Sequence, residues 1–572
     1  MKQMIDLANR RKNAAGKVVE AGQDFRKEYI LNHIVPEKNA EKHKNRTCHI
    51  HDMEYYDITP NCIGISVRDL IGNQSRSFSN MTHALHRKIV ELTNIQSGGI
   101  GFINFDFDIA AYVGDESDAE ITEAFHELFL DLNMDTRKGC EKPYVTLNFG
   151  LDTSANGRRA VFFMLDAFEK GDDRGNPFIF PNLVFKMKSG INLERNTVNY
   201  DLFCRAMSVT AKRMVPTYFN CDSASNAPYP AETIGIMGCR TRVVTNINGQ
   251  EGSLNRGNVA CVTLNLVQMA YQANGNWDLF YELLDENLED AKELLLHRFR
   301  TLCKKGMLEE YYDQKYYLGA KEKNAFEMLK NGTLSIGFIG LWDAVGTLMG
   351  QEITSSDIIN RNYKEAYGII GHMRNYTDKA SKEEHLNFSL LASAGEGVTG
   401  NFAKYDDRNL GKDFHACKKG FYTNSFHVPV DVKINYKAKI ELEGKFHKLC
   451  NGGSITYVEL QEMPVRNVEA IQEIITYAYD NDCNYIGINF PMDNCMECGY
   501  TGRVADVCPY CNSDKIRRLR RVSGYLSEES SFTAGKRKEL HARISHISME
   551  FAGEDKHERK KDCLKKRNQD QR

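Results

Sequence analysis

The sequence predicts an α/β fold in which most strands pair in parallel, because short apolar segments alternate with longer amphipathic ones. The predicted strands lie at residues 144–151, 178–187, 261–269 and 485–490. The predicted helices lie at residues 121–134, 158–169, 200–212 and 277–304. Leucines in the last of these helices recur at the spacing of one helix face, which indicates packing against a core. No low-complexity linker interrupts the pattern, so residues 1–490 are expected to form one unit.

The composition is that of an ordinary globular enzyme, with 42% hydrophobic and 26% charged residues in a chain of 572. A net charge of −3 argues against a general binder of nucleic acid or of membrane surfaces. The first residues are basic but no apolar segment follows them, so no secretory signal is predicted. Residues 334–350 are the most apolar window, yet glycines and Asp343 interrupt it, which indicates a buried element and not a membrane span. Sixteen cysteines without a signal peptide indicate a reducing compartment, so a cytoplasmic location is expected.

Residues 1–45 show helical spacing of apolar side chains until Pro36 interrupts it. Next comes the cluster His49, His51 and Asp52, followed by Cys62. Two interpretations of the cluster stand at this point: a metal site, or a polar network that supports the end of a strand.

Residues 96–101, a glycine-rich stretch after a predicted helix at 83–92, do not form a phosphate-binding Walker loop. A Walker loop requires Gly-Lys-Ser or Gly-Lys-Thr, and neither follows here.

A tight loop is predicted around Cys239, because Gly235 and Gly238 come shortly before it. Such a loop would carry the thiol at its tip. The alternative is a buried structural cysteine, which is the usual role of a free cysteine.

Two Cys-x-x-Cys units near the C-terminal end predict a structural zinc site. They are formed by Cys495, Cys498, Cys508 and Cys511. Each two-residue turn brings one pair of sulfurs to the same side of a metal, and four thiolates complete a tetrahedron. A pair of disulfides is the alternative.

Gly524 follows this segment within the pentapeptide Arg-Val-Ser-Gly-Tyr at 521–525. A glycine between strand-forming residues is commonly a bulge or turn residue. A glycyl radical is the other interpretation, because an α-carbon without Cβ can become planar and delocalise an unpaired electron over both neighbouring peptide groups.

The pentapeptide resembles the signature of glycyl radical enzymes. A four-cysteine ribbon directly before it resembles one branch, the anaerobic (class III) ribonucleoside-triphosphate reductases. The segment Phe-Thr-Ala-Gly-Lys at 532–536 and the end with Glu539, Arg543 and His546 are similar to that family as well. Further matching blocks lie at 335–341, 394–397, 422–427 and 452–454, so the resemblance runs from about residue 15 to 546.

The resemblance implies a ten-stranded α/β barrel with a C-terminal zinc ribbon and a glycyl radical loop. The expected divisions are a barrel at 1–490 with a finger loop near 235–242, a ribbon at 491–515, a glycyl radical domain at 516–549 and a charged, disordered tail at 550–572. Bacterial members commonly carry an N-terminal ATP-cone, and only 48 residues precede His49, so no complete cone is expected.

The resemblance also assigns roles to individual residues. A separate iron–sulfur activase that uses S-adenosylmethionine would remove a hydrogen from Gly524. Met-Gly-Cys-Arg at 237–240 resembles the finger loop that presents the thiyl-radical cysteine, here Cys239. The His-Asp cluster resembles a block whose cysteine lies in the active site, which identifies Cys62 as the proton donor and favours the polar-network interpretation. Residues 77–114 resemble helices that form a homodimer face and bind dNTP or ATP effectors.

The reductant is the least determined part of the chemistry. Met237 resembles the methionine that formate-using members place beside the position of Cys62, and a thioether cannot form a disulfide. Formate is therefore the predicted electron source, with Asn265 as the candidate to hold it. Cys261 lies four residues from Asn265 on the same predicted strand, and a disulfide with Cys62 would instead indicate a redoxin.

Two other functions remain open from the sequence. A zinc-ribbon protein that binds nucleic acid would use the basic run at 515–521 to contact phosphates. Another glycyl radical enzyme, a lyase or dehydratase, would share the pentapeptide but would not need the ribbon.

Overall fold

The computed structural model describes residues 13–72, 77–410 and 416–547. The predicted charged tail at 550–572 lies outside the described residues. The helices are α1 (Ala14–His33), α2 (Glu37–Lys44), α3 (Val67–Ile71), α4 (Phe78–Ile95), α5 (Phe105–Ala110), α6 (Asp118–Leu132), α7 (Ala155–Lys170), α8 (Tyr200–Arg213), α9 (Leu266–Ala273), α10 (Trp277–Lys305), α11 (Glu309–Gln314), α12 (Ala325–Leu329), α13 (Leu341–Leu348), α14 (Ser356–Arg361), α15 (Tyr363–Glu384), α16 (Val398–Asn409), α17 (Tyr436–His447), α18 (Val468–Asp480) and α19 (Ala534–Ala542).

Three sheets are built from fifteen strands in the described part of the chain. The strands are β1 (Cys48–Ile50), β2 (Ile63–Ile65), β3 (Ile100–Phe102), β4 (Val145–Phe149), β5 (Asn182–Met187), β6 (Thr217–Asn220), β7 (Asn258–Asn265), β8 (Thr333–Ile339), β9 (Asn387–Ala392), β10 (Thr456–Glu459), β11 (Tyr485–Asn489), β12 (Met492–Cys495), β13 (Thr501–Gly502), β14 (Ile516–Arg521) and β15 (Leu526–Glu528).

The prediction of an α/β fold with mostly parallel pairing is confirmed. One sheet has the order β10-β11-β6-β5-β4-β3-β2, with all neighbours parallel except β11 and β6. A second has the order β1-β7-β8-β9, in which only β1 is antiparallel. Every residue of β7 and β8 is buried, as expected of parallel strands that are covered on both faces.

Two isolated bridges join the edges of these sheets. Gly64 of β2 pairs with Arg256 just before β7, and Leu391 of β9 pairs with Gly453 just before β10. The two bridges join the second sheet to both edges of the first. The resulting ring of ten strands has the order β2, β3, β4, β5, β6, β11, β10, β9, β8 and β7, and β1 is an additional antiparallel strand on β7. The arrangement agrees with the ten-stranded α/β barrel that the resemblance implies.

Two predicted strands have different bounds in the structure. The segment 178–187 becomes extended only from Asn182, because Pro181 has no N–H to donate to a neighbouring strand. The segment 261–269 is a strand only up to Asn265, whose side chain accepts a hydrogen bond from the backbone of Gln268 and begins α9. The prediction of a strand through residue 269 was wrong, because this local cap ends it.

The third sheet, in the order β13-β12-β14-β15, contains parts of both the predicted ribbon and the predicted glycyl segment. Cys495 at the end of β12 lies opposite Ile516 of β14, and β14 leads directly to Gly524. The zinc-ligand candidates and the glycyl loop are therefore connected through one set of strand pairs. None of the helices in the described part of the chain combines the length and apolar character needed to cross a membrane.

Candidate active site

The loop that carries Cys239 is held inside the strands by polar side chains of β4 and β5. Asn148 of β4 donates a hydrogen bond to the carbonyl of Ile236 at 2.9 Å and accepts one from its N–H at 2.8 Å. Thr146 of the same strand donates to the carbonyl of Gly238 at 3.0 Å, and Asn182 of β5 donates to it at 3.3 Å. The tight loop predicted from the glycines is present, and Gly238 has a φ of +61° that favours glycine.

Side chains from other elements bind the backbone carbonyls of the glycyl loop. Arg543 donates to the carbonyls of residues 521 and 522. Arg240, the neighbour of Cys239, donates to the carbonyl of Ser523. Tyr457 donates to the carbonyls of Ser523 at 3.4 Å and Gly524 at 3.5 Å. We name these three residues, Arg240, Tyr457 and Arg543, the carbonyl clamp.

The clamp holds Gly524 against the loop of Cys239. A methyl group added to the Cα of Gly524 would lie 3.4 Å from Cβ of Cys239 and 2.6 Å from Oε1 of Glu396. Tyr525 follows, and its ring lies 5.2 Å from the rings of both Tyr144 and Phe180. The structure therefore brings the predicted radical glycine and the predicted thiyl cysteine together.

Cys62 lies on the other side of the loop, in a small buried apolar cluster with Ile103, Met237 and Val243. Its thiol donates a hydrogen bond to the side chain of Asn61, which in turn donates to Asp52. A methyl group on Gly98 would lie 2.6 Å from Sγ of Cys62. Cys62 and Met237 thus belong to the same buried apolar cluster.

The thiols of the site are protonated at neutral pH. Burial raises the pKa of Cys62 to about 12, and it also raises the pKa of Cys239. Cys261 on β7 is buried, and burial raises its pKa to about 12 with a further contribution from Asp52. Cys261 is absent from the apolar cluster that joins Cys62 and Met237. A protonated thiol is the form that can exchange a hydrogen atom with a carbon radical.

Asn265 belongs to a different network. Its amide donates to the carbonyl of Arg46 at 3.1 Å and to Asp406 at 3.0 Å, while its oxygen accepts from the backbone of Gln268. Both ends of this amide are therefore engaged by residues outside the apolar cluster of Cys62. The four-residue spacing from Cys261 did not reveal this, because the cap of α9 uses the side chain.

The cluster of His49, His51 and Asp52 forms a polar network at the end of β1. His51 shares a hydrogen bond of 2.7 Å with Thr263, and Arg298 donates to the carbonyl of His51 at 2.7 Å. In the described ranges, the groups of side chains that could hold a metal do not include this cluster.

A cavity of about 240 Å³ opens between this network and the loop that contains Glu396. Its walls include Asp52, Ser97, Arg137, Tyr144 and Glu396. Arg137 is buried, stacks on Tyr144 with 4.3 Å between guanidinium and ring centre, and pairs with Glu141 at 3.1 Å. Most of the cavity walls are polar or charged side chains, and Tyr144 provides an aromatic wall.

The four cysteines of the predicted zinc site have their sulfurs within 4.8 Å of one another. The Sγ atoms of Cys495 and Cys511 are 3.5 Å apart, as are those of Cys498 and Cys508. A tetrahedral zinc with Zn–S bonds of about 2.3 Å needs sulfurs roughly 3.8 Å apart, so the donor set fits zinc. All four are free cysteines, which excludes the disulfide alternative in this structure.

The basic run at 515–521 is paired within the protein. Arg517 forms an ion pair with Glu528 at 3.0 Å. Asp493 forms ion pairs with Arg518 at 3.2 Å and with Arg520 at 2.6 Å. These charges are neutralised by the C-terminal sheet, so the run is not a free phosphate-binding surface.

The sequence matches a protein family described as "Anaerobic ribonucleoside-triphosphate reductase" over residues 6–546. The chain belongs to the anaerobic ribonucleoside-triphosphate reductase family. A relative with that name from Escherichia coli (strain K12) is 28% identical, and the alignment covers 95% of this chain and 83% of the relative. Membership of this family implies glycyl radical chemistry, and it disfavours both the nucleic-acid-binding and the lyase alternatives.

Solved structures share the fold of this reductase-family chain. One, named "Anaerobic ribonucleotide reductase", has a TM-score of 0.75 at 18% identity and covers 94% of this chain and 90% of its own. Another, from Thermotoga maritima in complex with dATP and CTP, has a TM-score of 0.72 at 16% identity, covering 93% and 92%.

Sequence reasoning missed several residues that surround Gly524, namely the carbonyl clamp and Glu396. Glu396 stands between two glycines in a block that resembles the reductase family, and this placement was the one available signal. The clamp residues come from three distant segments, so no local motif connects them.

Replacing Cys498 by Ser should lower the zinc content and the radical yield, because β12 and β14 connect the zinc site to the glycyl loop. Metal analysis of the purified protein should return about one zinc per chain for the unmodified sequence. Cys303→Ser, a half-buried cysteine outside the ribbon, is the matched control and should keep its zinc. Full zinc retention in a Cys495/Cys498 double variant would contradict the site.

Replacing Gly98 by Ala should displace Cys62, because the new methyl group meets Sγ and the side chain of Asn61 at 2.6 Å. Displacement of a reacting group by about 1 Å can lower turnover by roughly 10²-fold. Turnover per radical, with the radical counted by electron paramagnetic resonance, measures this loss. Gly371→Ala in α15 is the control, since nothing lies within 4 Å of its added methyl group. Equal losses in the two variants would show that the contact with Cys62 is not responsible.

Proposed function

We propose that this protein reduces ribonucleoside triphosphates to 2′-deoxyribonucleoside triphosphates in the absence of oxygen, by exchange of a radical between Gly524 and Cys239. The observation that carries the proposal is the close approach of these two residues, since a methyl group on Gly524 would lie 3.4 Å from Cβ of Cys239. Glu396, which lies beside Gly524, also lines a cavity of about 240 Å³. Hydrogen exchange between Gly524 and Cys239 is feasible, because glycyl C–H and thiol S–H bonds have similar strengths.

Each cysteine has a separate role in this proposal. The Cys239 thiyl radical abstracts the 3′ hydrogen of the ribose and returns it at the end of the cycle. Cys62 donates a proton as the 2′-hydroxyl leaves as water. Burial supports both roles, because it keeps the thiols protonated and excludes the water that would quench radical intermediates.

The proposed organisation follows these roles. The barrel extends to residue 490 and contains the finger loop near 235–242. The ribbon covers 491–515 and the glycyl radical domain covers 516–549. The C-terminal sheet joins the last two of these units, because it connects the zinc-ligand candidates to the loop of Gly524.

Partners follow from the same chemistry. A separate radical S-adenosylmethionine activase with an iron–sulfur cluster generates the Gly524 radical in the cytoplasm. The active form is a homodimer regulated by dNTP or ATP effectors. The Thermotoga maritima relative was solved with dATP and CTP, which supports nucleotides as ligands.

Formate is the proposed reductant and is oxidised to carbon dioxide. The support is that Cys62 and Met237 belong to the same buried apolar cluster, since a thioether cannot form a disulfide with Cys62. Asn265 is left out of this proposal because its hydrogen bonds are committed to Arg46, Asp406 and α9.

Replacing Gly524 by Ala should abolish the radical signal and turnover, because the added methyl group hinders the planar geometry that a delocalised radical needs and meets Glu396 at 2.6 Å. Electron paramagnetic resonance after anaerobic activation should show a glycine doublet only in the unmodified protein. Oxygen added to radical-bearing protein should cut the chain at Gly524, which mass spectrometry detects. An intact chain after this treatment would refute the radical assignment.

Isotope-labelled formate should yield one labelled carbon dioxide for each deoxynucleotide formed, because formate supplies both electrons. Met237→Leu preserves an apolar neighbour of Cys62 without a thiol and should remain dependent on formate. Met237→Cys provides a thiol that could pair with Cys62, so its dependence on formate is compared with that of Met237→Leu. Equal turnover of the unmodified enzyme with a redoxin system and no formate would show that the reductant is a thiol pair.

A further inference from the structure

Three aromatic rings meet next to Gly524. The centre of the Tyr525 ring lies 5.2 Å from the centres of both the Tyr144 and the Phe180 rings, and those two rings are 5.4 Å apart. The planes of Tyr144 and Tyr525 are inclined by 27°, which is a stacked arrangement. Aromatic pairs at such separations attract each other beyond the area that they bury. We name Tyr144, Phe180 and Tyr525 the ring cluster.

Two rings of the cluster are placed by neighbouring strands of the barrel. Tyr144 directly precedes β4 and Phe180 lies two residues before β5, and these strands pair in parallel. The carbonyl of Tyr144 also accepts a hydrogen bond of 2.8 Å from the N–H of Ile100, the first residue of β3. The backbone of Tyr144 is thus anchored between β3 and β4, independently of the glycyl loop.

Arg137 connects the ring cluster to the surroundings of Cys62. Its buried guanidinium lies 4.3 Å from the centre of the Tyr144 ring, which is a cation–π contact. The same guanidinium donates a hydrogen bond to the carbonyl of Ser97. Ser97 precedes Gly98, whose added methyl group would lie 2.6 Å from Sγ of Cys62. One side chain therefore contacts both the segment beside Cys62 and the rings beside the glycyl loop.

The hydroxyl of Tyr525 reaches the loop of Cys239. A methyl group added to Gly238 would lie 2.8 Å from Oη of Tyr525. Burial raises the pKa of Tyr525 well above its ordinary value, and the nearby thiols of Cys239 and Cys62 raise it further. The ring that follows Gly524 is therefore adjacent to the residue before Cys239, so a displacement of the ring would change the distance between the glycine and the cysteine.

We propose that the ring cluster, held by Arg137, sets the distance across which hydrogen passes between Gly524 and Cys239, an inference that rests on the proposed function. Arg137 and Tyr144 are then positioning residues, because both act through Tyr525. Both also line the cavity of about 240 Å³. A molecule in the cavity meets the same two side chains that hold Tyr525, so occupancy of the cavity is coupled to the alignment of the two radical-bearing residues.

Turnover per radical separates alignment from substrate binding and from activation. Each variant is activated anaerobically, its radical is counted by electron paramagnetic resonance, and turnover is measured as a function of ribonucleoside triphosphate concentration. Tyr144→Leu removes the ring and keeps an apolar side chain. It should lower the limiting turnover per radical by roughly 10²-fold, because a misplacement of about 1 Å has such an effect. The KM should stay close to that of the unmodified protein.

Three further variants isolate the role of the ring. Tyr144→Phe keeps the stack and should retain most of the turnover. Arg137→Lys keeps the charge but loses the planar group that stacks on a ring, so it should also lower turnover per radical. Tyr477→Leu is the matched control, because the Tyr477 ring on α18 lies 6.2 Å from the ring of Tyr436 and 5.6 Å from Nζ of Lys437. Its loss should leave turnover unchanged.

Unchanged turnover per radical in Tyr144→Leu would overturn the inference. Equal losses in Tyr144→Leu and Tyr144→Phe would also overturn it, since the ring would then not be the cause. A higher KM at unchanged limiting turnover would do the same, because Tyr144 would then only bind substrate. If the leucine variant does not fold, Arg137→Lys decides the question, since it leaves all three rings in place. A radical-bearing unmodified protein that reduces no ribonucleotide would instead refute the proposed function.

Discussion

The approach of Gly524 to Cys239 is the constraint on which the rest of the structure depends. A hydrogen atom passes between two side chains only at van der Waals contact, so two loops from distant parts of the chain must meet without intervening water. Polar side chains of β4 and β5 hold the cysteine loop from inside the barrel. The carbonyl clamp holds the glycyl loop from the other side. Glycine is required at the meeting point, because even one methyl group there would contact both Cys239 and Glu396.

Burial serves the chemistry by controlling protonation. Burial raises the pKa of the Cys62 thiol to about 12, so the residue is a protonated thiol at neutral pH. Asp52 fixes the amide of Asn61, whose oxygen accepts the hydrogen bond from that thiol. Buried charges near the glycyl loop are paired: Lys536 with Glu396, and Arg543 with Glu459 and Glu539.

The C-terminal sheet connects the four-cysteine site to the loop that carries Gly524. Strand β14 pairs with β12 beside the cysteines and leads into the glycyl loop at its other end. Its arginines are neutralised by Asp493 and Glu528, which keeps a strongly basic strand folded against the sheet. Binding of zinc is coupled to folding in small ribbons and contributes on the order of 10 kcal/mol. Loss of the metal would therefore be transmitted along two paired strands to Gly524.

The sequence by itself determined the α/β class, the four-cysteine site, and the identities of Gly524, Cys239 and Cys62 as chemical candidates, because each is encoded by residues that are close along the chain. The alternation of apolar segments and the short motifs are properties of the sequence itself, so they can be recognised without knowing how the chain packs. Only the tertiary structure decided which of these candidates meet, because Gly524, Cys239 and Cys62 come from segments far apart. It also showed that the side chain of Asn265 caps α9. Glu396, Arg240, Tyr457 and Arg543 acquire their roles from contacts between distant segments, and no local pattern of residues encodes such contacts.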